Sequence, residues 1–87
     1  MKIEITKSFL KDIKKLPKEV KTQIELILID IKEAQTLHDI KNIKKLQNNS
    51  IFYRIRIGNY RLGFAYENDT IILIHFLHRK EIYRFFP

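Results

Sequence analysis

Residues 2–5, Lys-Ile-Glu-Ile, alternate polar and apolar with period two, which predicts a short strand with Ile3 and Ile5 turned inward. Thr6 is placed to cap a helix, and Phe9, Leu10, Ile13 and Leu16 then recur at helical spacing over residues 8–16. Pro17 ends that segment and suits the first position of a second helix, predicted over residues 18–34. There Val20, Ile24, Ile27, Leu28 and Ile31 form one apolar stripe. Leu26 and Ile29 fall off the stripe, either as tolerated surface residues or as part of a surface that a partner covers.

Beyond residue 36 the chain turns polar and basic. Leu37, Ile40, Ile43 and Leu46 at three-residue spacing predict a short helical turn packed on the body, and Asn48, Asn49 and Ser50 a turn. Strict alternation returns at residues 51–57, with Ile51, Tyr53, Ile55 and Ile57 on one face and Phe52, Arg54 and Arg56 on the other. Gly58-Asn59 marks a tight hairpin. The returning strand sets Tyr60, Leu62, Phe64 and Tyr66 against Arg61, Gly63 and Ala65, and Asn68-Asp69 turns the chain again. Residues 70–77 are apolar almost throughout, as in a central strand covered on both faces. The tail from His78 begins as a helical turn. The expected fold is therefore α+β, in the order β-α-α-β-β-β, with a helical hairpin on one face of a small, mainly antiparallel twisted sheet.

Composition bounds this picture. The 87 residues make one domain, 1–87, with 45% hydrophobic residues, six Phe and four Tyr to build a core and only two Gly and two Pro. The absence of cysteine removes disulfides, thiolate metal sites and cysteine nucleophiles. Neither a membrane-spanning apolar run nor the apolar stretch of a secretory signal is found, so a cytoplasmic location with no membrane partner is expected. A net charge of +7 and a pI near 9.8 favour a polyanionic partner. The charge is concentrated. Between Ile40 and Tyr66 there is no acidic residue, while Lys41, Lys44, Lys45, Arg54, Arg56 and Arg61 accumulate.

Candidate chemistry follows from the strand pattern. Arg54 and Arg56 share a face, and the hairpin at Gly58-Asn59 brings Arg61 beside them on the next strand. Three converging guanidiniums suit phosphate binding or pairing with carboxylates, and a solvated strand face gives the same alternation. The tail adds His78, Arg79, Lys80, Tyr83 and Arg84. Among them His78 offers an imidazole, Arg79 can contact a phosphate, and Tyr83 can stack on a base or donate a proton. His75, inside the apolar strand, reads as a hydrogen-bonded core histidine, and His38 has no evident partner. With three widely spaced His, no metal-ligand set, Gly-rich phosphate loop, nucleophile elbow or glycosidase carboxylate pair stands out, and no cofactor is expected.

The stretch YRIRIGNYRLGFAY followed by LHRKEIY resembles the RelE/ParE toxin superfamily, as do the LPKEV junction of the helical hairpin and the basic KNIKKL connection. The resemblance spans nearly the whole chain. It implies the toxin of a type II toxin-antitoxin system, a metal-independent endoribonuclease that cuts mRNA in the ribosomal A site. By motif position it assigns Arg61, Arg79, Tyr83 and His78 to the catalytic set and Arg54, Arg56, Lys44, Lys45 and Lys80 to RNA binding. The implied partners are a RelB-like antitoxin, the 70S-type ribosome and mRNA, the toxin being a monomer that becomes heteromeric with its antitoxin. Arg in place of Lys at positions 54 and 56 departs from many RelE members. Arginine keeps its charge and is a poor general base, which leaves His78, Glu81 or a ribosomal group for that role. A gyrase-inhibiting toxin of the ParE type without nuclease activity, or a catalytically inactive relative, shares the same expected fold.

Overall fold

The chain runs through β1 (Lys2–Ile5), α1 (Lys7–Lys14), α2 (Lys18–Glu33), a 3₁₀ turn (Leu37–Asp39), β2 (Ile43–Lys45), β3 (Phe52–Ile57), β4 (Tyr60–Glu67), β5 (Thr70–His78) and α3 (Arg79–Phe85). The structure is a computed structural model describing residues 1–46 and 50–87, so the turn expected at Asn48 and Asn49 lies outside the described residues. The five strands form one sheet in the order β1-β5-β4-β3-β2. β1 pairs with β5 in parallel, and the other neighbours are antiparallel. This is an α+β fold whose element order agrees with the sequence pattern apart from one added strand.

The period-two readings hold in the hairpins. Ile55, Leu62 and Phe64 are buried on one face with Leu73 and Phe76 of β5, and α1 and α2 close that face with Phe9, Ile24 and Ile31. Tyr53 stacks on Phe64 (5.4 Å between centroids) and Tyr60 on Phe76 (5.2 Å), carrying the core to the sheet ends. Full burial of side chains as large as Phe9 and Phe64 contributes roughly 1.5–3 kcal/mol each. Gly58 takes φ 57 in the two-residue link between Ile57 and Tyr60, where a side chain would be strained. Asn68 and Asp69, both at positive φ, make the second link, and the Tyr66 hydroxyl donates to Asp69 Oδ1 (3.0 Å).

The helical hairpin locks onto the edge of β5. The Thr6 hydroxyl accepts from Phe9 N–H (3.2 Å), capping α1 as expected, and donates to the Leu73 carbonyl (2.8 Å). Where β1 ends, α1 takes over the edge: Asp12 Oδ2 accepts from Phe76 N–H (2.9 Å) and from His75 Nδ1 (2.7 Å). His75 is thus hydrogen-bonded, at the sheet edge and partly buried. Pro17 sits one position earlier than expected, as the residue preceding α2, and its carbonyl accepts from Val20 and Lys21 N–H.

Several expectations are corrected. Ile5 is 49% exposed rather than inward, because β1 is an edge strand that ends as α1 begins. The predicted helical turn gives only the 3₁₀ turn. Asn42 then adopts φ 62, and Ile43–Lys45 extend to pair with the free edge of β3. β5 is an interior strand as expected, flanked by β1 and β4, although β4 rather than β5 is the middle of the five. Both faces carry helix: α3 lies against β4 and β5 on the face opposite α1 and α2, with Ile82 and Phe86 buried. Leu26 and Ile29 are exposed. No helix among the described residues is long and apolar enough to cross a membrane.

At the turn before β2, Asp39 Oδ2 accepts from Gln35 and Thr36 N–H (3.0 and 3.1 Å). Those two bonds, Gln35 first, hold its carboxyl below the usual 3.8. A lowered folded-state pKa gives stability that is present above pH 3.8 and lost as pH falls through the lowered value. Asp39→Asn, which keeps an acceptor oxygen without a titration, is expected to flatten the acid limb of stability. Urea midpoints measured below pH 5 that fall equally steeply in both proteins would contradict this.

Candidate nucleic-acid interface

The face opposite the main core carries the charge. Arg54, Arg56 and Arg61 alternate outward along β3 and β4, and the register places Arg56 directly opposite Arg61 and Arg54 opposite Gly63. β2 adds Lys44, which pairs with Arg54. Like charges facing one another across a ladder oppose folding. The side chains lessen the conflict in different ways: one Arg61 Nη donates to the carbonyls of Gly58 (2.9 Å) and Tyr60 (2.8 Å), and the Arg54 guanidinium lies over the Tyr83 ring, 4.7 Å from its centroid. Neither device neutralises charge. The ion pair found among the described residues, His75 with Asp12, is elsewhere.

Together these groups line a cleft of about 320 Å³ formed by Asn42, Ile43, Lys44, Arg54, Arg56, Arg61 and Tyr83. Tyr83 reaches it because α3 is held down by its C-terminal end. The Phe86 ring lies over Gly63 and packs edge-on against Phe52 (5.6 Å), and a Cβ at Gly63 would meet that ring at 2.6 Å. The glycine thus makes room for the anchor, and the anchor carries Tyr83 to the cleft. Tyr83 itself is 63% exposed, with one ring face on Arg54, so it remains open to a stacking partner.

Of the residues singled out from sequence, Lys44, Arg54, Arg56, Arg61 and Tyr83 are brought together and Lys45, His78, Arg79 and Lys80 are not among the lining residues. Strand alternation separates Lys44 from Lys45, whose ammonium sits 6.0 Å from the Tyr53 ring centre. His78 pairs across the ladder with Tyr60, whose ring it meets edge-on at 6.0 Å, on the face that α1 and α2 cover. Its Nδ1 accepts from Lys80 N–H (3.2 Å) and caps α3. Arg79 is tied through its backbone N–H to the Asn59 carbonyl (2.8 Å). Glu81 lines no part of the cleft either. Asn42 and Ile43 were missed, because the positive φ that turns the chain into β2 leaves only a weak sequence signal, an Asn between two basic stretches. No group of three or more His, Cys, Asp or Glu that could hold a metal ion is found among the described residues.

A phosphate in the cleft meets several donors at once, and a base beside it meets an exposed aromatic ring. That combination of cations and stacking surface is what single-stranded RNA requires. Known proteins resemble this chain over nearly its whole length. A family model described as the ParE toxin of the type II toxin-antitoxin system parDE matches residues 3–83. The chain is 43% identical over 88 residues to Toxin RelE3 of Methanocaldococcus jannaschii, covering 100% of both. It superposes with TM-score 0.80 and 40% identity on a chain of the RelB-RelE antitoxin-toxin complex from Methanococcus jannaschii, covering 97% of this chain and 99% of that one. The archaeal RelE-RelB complex from Pyrococcus horikoshii shares the fold (TM-score 0.75, 20% identity, 90% of this chain and 93% of that one).

Proposed function

Since the chain belongs to the RelE/ParE toxin family and is a toxin of the RelBE type, we propose that it is a ribosome-dependent endoribonuclease that cuts mRNA in the A site and so stops translation. The observation that carries this reading is the convergence of Lys44, Arg54, Arg56 and Arg61, with no carboxylate partner among the described residues, on one cleft with Tyr83. In the proposed reaction the RNA 2′-hydroxyl attacks the adjacent phosphorus, the bond to the 5′-oxygen breaks, and the products are a 2′,3′-cyclic phosphate and a free 5′-hydroxyl. Negative charge builds on the phosphorane oxygens, where Arg56 and Arg61 supply preorganised donors. Arg54 and Lys44 bind flanking phosphates, and Tyr83 stacks on a base to align the attacking hydroxyl. The arginines keep their protons, so the hydroxyl proton passes to solvent or to a ribosomal group. Arg79 and Lys80, outside the cleft, serve contacts to the surrounding ribosomal RNA.

The antitoxin partner is RelB-like, an acidic chain that covers the cationic cleft and the exposed apolar residues Leu26, Ile29 and Ile5. Toxin alone is a monomer on this reading.

Primer-extension mapping of mRNA in a purified translation system, with and without ribosomes, tests the proposal. Discrete cuts that require ribosomes and vanish when antitoxin is added are expected. Growth arrest without any cuts would overturn it and favour the gyrase-inhibiting alternative, to be followed with supercoiling assays.

A further inference from the structure

Arg54 and Arg56 share the outward face of β3, and strand alternation treats them alike, but the sheet gives them different neighbours. Arg56 is exposed and stands directly opposite Arg61, whereas Arg54 is partly buried and stands opposite Gly63, which has no side chain. The space over Gly63 is filled by the Phe86 ring, and Tyr83, three residues earlier, comes off the same side of α3. Packing of that side onto the sheet sets the Tyr83 ring beside Arg54, with the guanidinium carbon 4.7 Å from the ring centre. Tyr83 is otherwise exposed, so Arg54 supports one ring face and leaves the other open. The Arg61 guanidinium is committed elsewhere, to the Gly58 and Tyr60 carbonyls. Among the described residues, Arg54 is the cleft arginine that meets the aromatic ring.

We propose that Arg54 is the positioning residue for Tyr83, holding its ring so that an RNA base entering the cleft completes a three-layer stack of guanidinium, tyrosine ring and base. The proposal rests on the RNA-cleaving reading for its biological use, though the stack and its effect on base binding can be measured without cleavage. A guanidinium is planar and weakly hydrated and carries its five N–H donors in its plane. Its face can therefore rest on a ring while its edge donates to a phosphate. An ammonium is a compact, strongly hydrated point charge, which keeps the attraction for phosphate but offers no flat face. Arginine at position 54 thus joins phosphate binding and ring placement in one side chain. An exposed tyrosine without that support moves among rotamers, and a base that stacks on it must first order the ring. With the ring already held, more of the stacking energy remains for binding and for aligning the sugar next to it.

The test uses the purified chain, without ribosomes, and non-cleavable 2′-O-methyl trinucleotides whose central position carries adenine or no base. Affinities are read by NMR titration. Wild type is expected to bind the adenine probe about tenfold more tightly than the abasic one, and Tyr83→Leu should abolish that advantage. Arg54→Lys, which keeps the charge, should reduce the advantage to about threefold. The Arg54 side-chain protons should be shifted upfield by the ring current in wild type and return to ordinary positions in Tyr83→Leu, a signature that a general change of packing does not give. Arg54→Lys that weakens both probes by the same factor would make Arg54 a phosphate binder alone and overturn the proposal. Equal binding of the two probes by wild type, or Arg54 protons at ordinary positions there, would overturn it too. Absence of ribosomal cleavage alongside the expected binding and spectra would remove the nuclease reading and leave the role of Arg54 standing.

Discussion

Arg61→Ala is expected to slow ribosome-dependent mRNA cleavage by about 10²–10³-fold, the loss found when one preorganised donor to a developing oxyanion is removed. Its Nη bonds to the Gly58 and Tyr60 carbonyls fix the guanidinium on the hairpin end while the other donors remain for substrate. Because Arg61 stands directly opposite Arg56, removing it also relieves a cross-strand repulsion. Thermal stability should therefore stay within about 0.5 kcal/mol of wild type or rise slightly while activity collapses. Arg61→Lys restores charge without the carbonyl clamp and should fall between the two. Single-turnover cleavage on stalled ribosomes, with a melting curve on each protein, reads both effects. Cleavage within threefold of wild type in Arg61→Ala would remove Arg61 from the reacting centre.

Gly63→Ala is expected to cost about 2–3 kcal/mol, as much as losing the burial of a large apolar side chain. The glycine needs no special backbone here, since its φ is not in the left-handed region, and the whole effect comes from space. A methyl group at this position would stand 2.6 Å from the Phe86 ring. The sheet backbone is held on both sides, so the ring must leave, and α3 loosens with it. Phe86→Ala should give a loss of similar size by the same route. In the Phe86→Ala background Gly63→Ala should then add little, because its neighbour is already gone. Full additivity in urea denaturation of the four proteins would mean that the two residues act separately. Release of the anchor also frees Tyr83 from its place over Arg54, so both single variants should lose cleavage activity along with stability, in contrast to Arg61→Ala.

Alternation told which face Arg54, Arg56 and Arg61 share, because a strand offers a side chain only two directions, and the Gly58-Asn59 link fixed their register. It did not foretell β2. Ile43–Lys45 is too short to carry a period, and it becomes a strand only because β3 presents a free edge. That one event sends Lys44 to the cleft and Lys45 to the other face, a division invisible while both stood in an expected helical turn. The basic tail is divided as well. His78, Arg79 and Lys80 stand only three to five residues before Tyr83, yet they do not line the cleft, and His78 Nδ1 caps α3.

Local chemistry in the chain itself determined the α+β class, the helical hairpin with its Thr6 cap, the hairpin links, the charged strand face and the resemblance to RelE/ParE toxins, since each depends on residues within a turn or two of one another. The tertiary structure alone decided which cations meet. The parallel pairing of β1, the edge position of β2 and the docking of Phe86 over Gly63 all join residues far apart in the chain. Such contacts are set by the space and open edges left when the core closes, and neither period nor composition records them.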